Sequence, residues 1–239
     1  MISSAIVTGA AAGNGLAIAR KLSERGHAVV GVDLAPIPAD SCAHIVQGSV
    51  LDQSIMDAAF AHALAASHTV FLVNNAGITS GGFPQPDAVW EKTIDVNLTA
   101  PFRWSRRFGE LVVSGEIAEG GIVFIGSLAT TMGFPANAAY QASKSGVLGL
   151  TRSFATDLGR YGIRSNCVSP GYIVTAMTKT SYNTPELNAS RRKHTLLDRW
   201  GQPEDVSNGV AFLCDPSSTY ITGINLPVDG GWMVCGLIE

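Results

Sequence analysis

The sequence predicts an α/β domain built on a doubly wound parallel sheet, and two observations carry this prediction. Short apolar stretches alternate with longer segments of helical period along the whole chain, which is the pattern of strand–helix–strand units with right-handed crossovers. Hydrophobic residues make up 46% of the chain and charged residues only 15%, as expected for a sheet buried on both faces. A chain of 239 residues suffices for a single domain of this kind.

Each predicted element occupies one step of this alternation. Short apolar runs predict strands, and longer segments of helical period predict helices. The strands are predicted at residues 5–8, 28–33, 44–47, 70–74, 122–127, 164–169 and 225–228. The helices are predicted at residues 15–25, 54–66, 86–98, 102–116, 138–161 and 204–214.

Residues 172–200, called the lid segment below, break the alternation. They contain no clear strand, a polar stretch and a basic run from Arg191 to His194. Apolar residues including Trp200 follow near the end, which favours a small helical lid over a linker, since long irregular excursions are usually functional or disordered. For the basic run we expect a solvated lid face, with contact to an anionic substrate as the alternative.

Composition excludes several classes of function. A formal net charge of −3 and a pI near 5.9 give no reason to expect nucleic acid or an anionic membrane as a partner. The four cysteines form no CxxC pair and no His has metal-ligand spacing, so neither a metal nor redox chemistry is indicated. No stretch approaches the roughly 20 apolar residues of a membrane span, and the N-terminus lacks signal-peptide features. We therefore expect a soluble cytoplasmic protein.

A glycine-rich turn, TGAAAGNG at residues 8–15, joins the first predicted strand to the first predicted helix. Glycine allows a tight turn and lets the backbone approach a pyrophosphate at the helix N-terminus, where free N–H groups and the helix dipole favour anions. Its place in the first strand–helix unit is the context that a dinucleotide-binding motif requires. This narrows the predicted fold to a Rossmann-type domain.

Asp33 ends the second predicted strand, about 20 residues beyond the turn. A carboxylate at this place accepts hydrogen bonds from an adenosine ribose and repels a 2′-phosphate. Ala11, Ala12 and Leu34 offer no basic side chain to such a phosphate. The sequence thus favours NAD over NADP, with a helix-capping or surface carboxylate as the alternative for Asp33.

Tyr140 and Lys144 stand four residues apart on a long helical pattern, so they share one helix face. A free tyrosine titrates near pH ~10, which is too high for an effective base at neutral pH. A lysine cation within ~4–6 Å favours the phenolate. The pair is therefore a candidate for general acid–base catalysis.

Further motifs accompany this pair in a fixed order. They are the turn at 8–15, NNAG at 74–77, Asn97, Ser127, the Tyr140–Lys144 pair, PG at 170–171, RWGQPEDV at 199–206 and VDGG at 228–231. Together, with Ser127 thirteen residues before Tyr140, they resemble the short-chain dehydrogenase/reductase family, and the resemblance covers the whole chain.

The resemblance implies roles for individual residues. Ser127 orients the substrate oxygen, Asn97 holds a water in a proton relay through Lys144, and Lys144 also bonds the nicotinamide ribose. The alternatives are a turn or capping role for Ser127 and a helix-kink role for Asn97; Asn74 is expected to be largely structural. The turn and the resemblance together assign cofactor contacts to Gly9, Ala12, Asn14, Gly15, Asp33, Leu34, Ser49, Val50, Asn75, Ala76, Gly77, Tyr140, Lys144, Pro170, Gly171, Ile173 and Thr175.

The expected substrate is a sugar, polyol or cyclic alcohol, because the candidate pocket is mixed and has no obvious charge cluster. The first alternative is a 3-oxoacyl-carrier-protein reductase, which generally uses NADPH, a preference that Asp33 opposes. The second is a non-catalytic NAD-sensing protein on the same fold. The resemblance also implies a homotetramer or homodimer that pairs through the helices at 102–116 and 138–161, with an apolar tail at 232–238 to bury. The candidate substrate residues are Leu128, Met132, Phe134, Asn137, Tyr172 and Met177.

Overall fold

The parallel sheet positions every other part of the molecule. The computed structural model describes residues 3–79 and 81–235. Within them seven strands form the parallel, doubly wound sheet that the sequence predicts, and their order is β3-β2-β1-β4-β5-β6-β7. The strands are β1 (Ser4–Thr8), β2 (Ala28–Asp33), β3 (His44–Gln47), β4 (Thr69–Asn74), β5 (Glu119–Ile125), β6 (Arg164–Pro170) and β7 (Asn225–Val228).

Helices cover both faces of this sheet. They are α1 (Gly13–Glu24), α2 (Gln53–Ala66), α3 (Asp87–Ile94), α4 (Ala100–Val113), α5 (Ala138–Leu158), α6 (Lys179–Asn183), α7 (Pro185–Lys193) and α8 (Pro203–Cys214). Successive strand residues point to opposite faces, so Ala5 and Val7 of β1 join the core beneath α1 and α8. Ile6, between them, joins the core beneath α2, α4 and α5. The domain therefore has two hydrophobic cores that share one sheet.

The direction in which successive strands are added to the sheet reverses at its centre. β1 and β4 are neighbours, yet the chain leaves β1 towards β2 and leaves β4 towards β5. Connections that diverge in this way leave a crevice beyond the carboxyl ends of the strands, where doubly wound folds bind ligands. The glycine-rich turn follows β1, residues 75–77 follow β4, and Ser127 follows β5, so all three face this crevice.

Two predicted boundaries are wrong. The helices predicted at 86–98 and 102–116 form one continuous stretch, in which a π turn (Asp95–Thr99) joins α3 to α4. A π turn is wider than an α turn and shifts the apolar period, so the pattern looks like a break. The strand predicted at 122–127 ends at Ile125. Ser127 instead caps a short 3₁₀ turn, where its hydroxyl accepts the N–H of Ala129 at 3.2 Å.

The lid segment folds into two short helices, α6 and α7, in agreement with the predicted helical lid. Its carboxyl end is anchored by Trp200, which is buried, and by Arg199, which donates two hydrogen bonds to Asp205 of α8 at 2.7 and 3.0 Å. Of the helices in the described part of the chain, none is both long and apolar enough to cross a membrane.

Candidate active site

Tyr140 and Lys144 lie in the first turns of α5, beside the end of β5. The Nζ of Lys144 is 5.7 Å from the centre of the Tyr140 ring and donates a hydrogen bond to the carbonyl of Ile125 at 2.7 Å. Lys144 is 5% exposed, so its charge reaches the phenol through protein rather than through water. The structure thus brings the two residues together as their spacing predicts.

Burial changes the two pKa values in opposite directions. It lowers the pKa of Lys144 from 10.5 to about 8, because burial disfavours the charged ammonium. It raises the pKa of the Tyr140 phenol, and a hydrogen bond with Ser127 opposes that rise. The phenol therefore keeps its proton at neutral pH unless a further positive charge joins that of Lys144 beside it.

Ser127 is held rigidly opposite Tyr140. Its hydroxyl is hydrogen-bonded to the Tyr140 phenol, and its carbonyl accepts the hydroxyl of Thr130 at 2.7 Å. Thr130 is in turn 3.2 Å from the hydroxyl of Ser169 in β6, which donates to Asn225 of β7 at 2.7 Å. This buried network ties the serine to the two neighbouring strands, so capping and substrate orientation are compatible roles.

Asn97 sits in the π turn and is 1% exposed. Its side-chain oxygen accepts the N–H of Ile78 at 2.8 Å, and its amide nitrogen donates to the Ile78 carbonyl at 2.8 Å and to Ser143 at 3.2 Å. Gly77 has no side chain between this oxygen and the Nζ of Lys144; a Cβ there would lie 3.3 and 3.6 Å from them. Asn97 therefore fixes the chain after β4 against α5, next to Lys144.

The glycine-rich turn is packed against the end of β4. Gly9 has a φ of +71°, and a Cβ on it would lie 2.8 Å from the side-chain nitrogen of Asn75. That nitrogen donates to the carbonyls of Thr8 and Gly9 at 2.9 and 3.1 Å. At Gly15 a Cβ would meet the Gly9 carbonyl at 1.9 Å. The turn thus tolerates only glycine at these two positions and presents the N-terminus of α1 to the crevice.

Asp33 lies at the opposite end of the crevice from Tyr140. Its two carboxylate oxygens accept the N–H groups of Ala11 and Ala35, each at 2.9 Å. Each oxygen keeps a further lone pair, so the two bonds hold the carboxylate in place and leave it able to accept more hydrogen bonds. Leu34 beside it is 71% exposed. These bonds fix two turns rather than cap a helix, and they leave the carboxylate available for a ribose contact.

A cleft of ≈ 260 Å³ runs between these two ends. Besides the predicted residues, its lining includes Gly13, Ile125 and Ala176, which the sequence assignment missed; Gly13 has a φ of +54° and was part of the recognised turn. Lys144 is the one cationic side chain among the described lining residues. The predicted cofactor residues that line the cleft are Gly9, Ala12, Asn14, Gly15, Asp33, Asn75, Ala76, Gly77, Tyr140, Lys144 and Thr175.

Other predicted cofactor residues lie outside this lining. The Ser49 hydroxyl accepts the N–H of Leu51 at 3.1 Å, and the Val50 carbonyl accepts the indole N–H of Trp104 at 2.9 Å. Ile173 is buried and pairs with Gly201. The predicted residues outside the lining are Leu34, Ser49, Val50, Pro170, Gly171 and Ile173.

Of the predicted substrate residues, Met177 lines the cleft described above, and the others lie outside its lining. Leu128 is buried. Met132, Phe134 and Asn137 belong to the loop between Ser127 and Tyr140, and Tyr172 begins the lid segment.

Gln141 organises that loop, and sequence reasoning missed it. Its amide nitrogen donates to the carbonyls of Ala129 and Met132 at 2.7 and 2.6 Å, and its oxygen accepts the N–H of Phe134 at 3.3 Å. The residue next to Tyr140 thereby sets the position of the loop that carries Ser127. A helix-surface glutamine offers no signal for such a role in sequence alone.

An aromatic cluster of Phe134, Tyr172, Trp200 and Trp232 joins this loop to the lid segment. The Trp232 ring centre is 6.0 Å from that of Phe134 and 5.8 Å from that of Tyr172. Tyr172 and Trp200 meet edge to face at 5.4 Å. The cluster gives the lid segment a fixed inner wall beside the catalytic residues.

Comparison with known proteins identifies the family. The model described as enoyl-(acyl carrier protein) reductase matches residues 9–233. Galactitol 2-dehydrogenase (L-tagatose-forming) of Cereibacter sphaeroides is 35% identical over 96% of this chain and 94% of its own length. The chain belongs to the short-chain dehydrogenase/reductase family. It is therefore an oxidoreductase that interconverts secondary alcohols and ketones.

Two further short-chain dehydrogenase/reductases show the range of activities among its relatives. The 3-oxoacyl-[acyl-carrier-protein] reductase FabG of Vibrio cholerae is 35% identical over 95% of this chain and 96% of its own length. A solved structure described as a putative NAD(P)-dependent gluconate 5-dehydrogenase from Beutenbergia cavernae, with bound NADP, has a TM-score of 0.89 and 31% identity and covers 97% of each chain. Family membership alone therefore does not choose the substrate or the form of NAD(P).

Proposed function

We propose that this short-chain dehydrogenase/reductase uses NAD to oxidise a secondary alcohol of a sugar, polyol or cyclic alcohol to the ketone. The observation that carries the proposal is one cleft lined by Tyr140 and Lys144 at one end and by Asp33 at the other, with Ser127 beside Tyr140. The relatives named for galactitol and gluconate support a polyhydroxylated substrate. NAD favours oxidation, since cells generally keep it oxidised.

The residues of the cleft fit a dinucleotide. Gly9, Gly13 and Gly15 line the cleft, and at Gly9 and Gly15 a Cβ would collide with Asn75 or with the Gly9 carbonyl. This close packing presents the N-terminus of α1 to the cleft, where a pyrophosphate is favoured. Asp33 offers acceptors to a ribose and opposes a 2′-phosphate. Among the described residues that line the cleft, the single cation is Lys144 at the far end, so nothing there neutralises that phosphate.

The proton path follows from the contacts of Tyr140. Bound NAD would supply a hydride acceptor and a positive charge beside the phenol. Tyr140 as phenolate accepts the proton of the substrate hydroxyl while the carbinol hydrogen leaves as hydride, so one proton and one hydride account for the oxidation. Ser127, already hydrogen-bonded to the phenol, holds the same substrate oxygen and donates to it as charge develops.

Lys144 favours the phenolate form of Tyr140. With a pKa of about 8 it is mostly protonated at neutral pH, and its ammonium group lies 5.7 Å from the ring centre. A buried positive charge at this distance lowers the pKa of a phenol. Asn97 and Gly77 keep the space beside the ammonium group open, which suits the proposed relay of protons to solvent.

Reduction of a 3-oxoacyl thioester is the second candidate, and the 35% identity to FabG of Vibrio cholerae favours it. The same three catalytic residues would serve that reaction in the opposite direction. The carboxylate of Asp33, fixed by two backbone bonds, disfavours the NADPH that we expect for such a reductase. Cofactor preference therefore separates the two candidates.

The test incubates the protein with NAD and a panel of sugars, polyols and cyclic and secondary alcohols, and it measures the formation of NADH. Turnover that Tyr140→Phe abolishes supports the proposal. Faster reduction of a synthetic oxoacyl thioester with NADPH than with NADH would assign the second candidate instead. Tight NAD binding without turnover in any arm would transfer the chain to the non-catalytic sensing class.

We further propose a cytoplasmic homodimer or homotetramer. Apolar side chains remain exposed around α4 and the end of α5, including Phe102 at 42%, Val113 at 64% and Tyr161 at 38%, which supports pairing through these helices. Of the apolar tail, residues 236–238 lie outside the described part of the chain. Light scattering at assay concentration tests the assembly, and a monomer contradicts it.

A further inference from the structure

The basic run of the lid segment is split between two environments. Successive helix residues point about 100° apart, and in α7 this separates Arg191 from Arg192. Arg192 donates to Asp198 at 2.9 Å on the exposed side. The Arg191 guanidinium instead lies 4.8 Å from the centre of the Tyr172 ring. The expected solvated face is therefore correct for Arg192 and Lys193, which are exposed, and wrong for Arg191.

Arg191 has unused hydrogen-bonding capacity on this inner side. Among residues 3–79 and 81–235 it forms no ion pair, and its Nε is buried without a hydrogen-bond partner there. Stacking on Tyr172 occupies the face of the guanidinium but none of its N–H groups. Buried donors are nearly always paired, so this geometry points to an acceptor supplied by a ligand.

A second unpaired donor lies on the same wall. The indole N–H of Trp232 is buried and has no partner within the described residues, and its ring is 5.8 Å from Tyr172. The His194 ring also lies near this indole, with its centre at 5.6 Å. A cation and a neutral donor that converge beside one aromatic ring suit a carboxylate better than a dianionic phosphate.

The wall is continuous with the catalytic residues. Trp232 contacts Phe134 at 6.0 Å, and Phe134 is bonded to Gln141, the neighbour of Tyr140. Near Tyr140, Asn137 presents a buried side-chain oxygen that lacks a partner in the described part of the chain, while its nitrogen donates to Thr79. One unpaired acceptor thus lies three residues from Tyr140 in the chain, and the unpaired donors lie on the aromatic wall beside Tyr172.

We propose that Arg191, assisted by Trp232, binds a carboxylate of the substrate, and that the substrate is a polyhydroxy carboxylic acid rather than a neutral polyol. Asn137 accepts a hydrogen bond from a substrate hydroxyl near Tyr140. The inference rests on the proposed function, since the reacting group is still the secondary alcohol. It narrows the substrate class and makes Arg191 the residue that determines specificity.

The experiment compares four- to six-carbon aldonates, D-gluconate among them, with the alditols of the same carbon chains. The wild-type enzyme should show kcat/KM at least ~10²-fold higher for its best aldonate than for the matched alditol, because a charged hydrogen-bonded pair is lost with the alditol. Arg191→Gln should lower kcat/KM for the aldonate by ~10²-fold, mainly through KM, and change the alditol value by less than ~3-fold.

Arg192→Gln is the matched control, because it removes the same group one residue away on the outer face. It should leave both values unchanged. Equal losses for aldonate and alditol in Arg191→Gln would overturn the inference, as would equal turnover of both by the wild-type enzyme. If Arg191→Gln lowers kcat/KM for phosphorylated polyols but not for aldonates, the choice of a carboxylate is overturned.

Binding separates this inference from the proposed function. Aldonates are titrated by calorimetry into the NAD complex of Tyr140→Phe and of Tyr140→Phe with Arg191→Gln. Oxidation of neutral alcohols without aldonate binding overturns the inference and leaves the proposed function standing. Aldonate binding that requires Arg191, without oxidation of any alcohol by wild-type enzyme, supports the inference and refutes the proposed function.

Discussion

The catalytic end of the cleft and the inner wall of the lid segment are linked through Phe134 and Gln141, but they are built differently. At the catalytic end the polar groups contact one another: Tyr140 bonds Ser127, and Lys144 bonds the end of β5. On the lid wall, Arg191 and Trp232 stack on aromatic rings and keep unpaired donors, as counted among the described residues.

The difference shows how chemistry and specificity are divided within this family member. Groups that move a proton are held by strands and by a long helix, since their pKa values depend on fixed burial and distance. The groups that we propose to select the substrate lie outside the sheet: Arg191 is on the short helix α7, and Trp232 is in a 3₁₀ turn (Trp232–Val234). Four measurements test this division.

The largest expected effect is at Tyr140. Tyr140→Phe removes the only proton acceptor assigned to the substrate hydroxyl and should lower kcat by ~10²–10⁴-fold or more. NAD affinity, measured by fluorescence titration, should stay within ~3-fold. Tyr161→Phe, at the exposed end of the same helical stretch, is the control. Equal activity of the two variants would contradict the assignment of Tyr140 as the proton acceptor.

Asp33 tests whether the cofactor end is as rigidly specified as the catalytic end. Asp33→Ser combined with Leu34→Arg replaces a repulsive carboxylate by a cation and should raise the NADP-to-NAD ratio of kcat/KM by ~10²-fold. Asp33→Asn keeps an acceptor for the Ala11 N–H. It should lower kcat/KM for NAD by about tenfold and leave kcat/KM for NADP unchanged. A wild-type preference for NADP would contradict the assignment.

The buried ammonium of Lys144 should appear in the pH dependence of stability. Its folded pKa of about 8 lies below the ordinary 10.5, so between these values the unfolded chain binds more protons and stability rises with pH. Relative to Lys144→Met, the wild-type free energy of unfolding should rise by about 2 kcal/mol from pH 7.5 to 9.5. Urea unfolding at the two pH values measures this, and a constant difference would show that the lysine is not desolvated.

Gln141 should give the smallest effect, as a positioning residue. Gln141→Ala frees the loop that carries Ser127 and should lower kcat by about tenfold while KM for NAD is unchanged. Gln141→Glu keeps the size but cannot donate to the carbonyls of Ala129 and Met132, so it should resemble the alanine variant. Full activity of Gln141→Glu would show that these donated bonds do not matter.

Much of the fold was predictable because the signals are local. Parallel strands buried on both faces are apolar throughout, and their alternation with helices predicts a parallel sheet with right-handed crossovers. The π turn at residues 95–99 was not predictable, since a shift of one residue looks like a break between helices. The end of β5 at Ile125 depends on a cap formed by Ser127, which a strand pattern does not reveal.

The sequence by itself determined the sheet and the family, and it predicted the catalytic pair and the cofactor end, because the Tyr140–Lys144 spacing, the glycine-rich turn and Asp33 act through periodicity and chain position. Only the tertiary structure decided that Arg191 faces inward while Arg192 faces outward, and that Ser49 and Ile173 lie outside the cleft lining. Helical geometry separates two neighbouring side chains, but the packing of α7 against the aromatic cluster chooses which of them is buried.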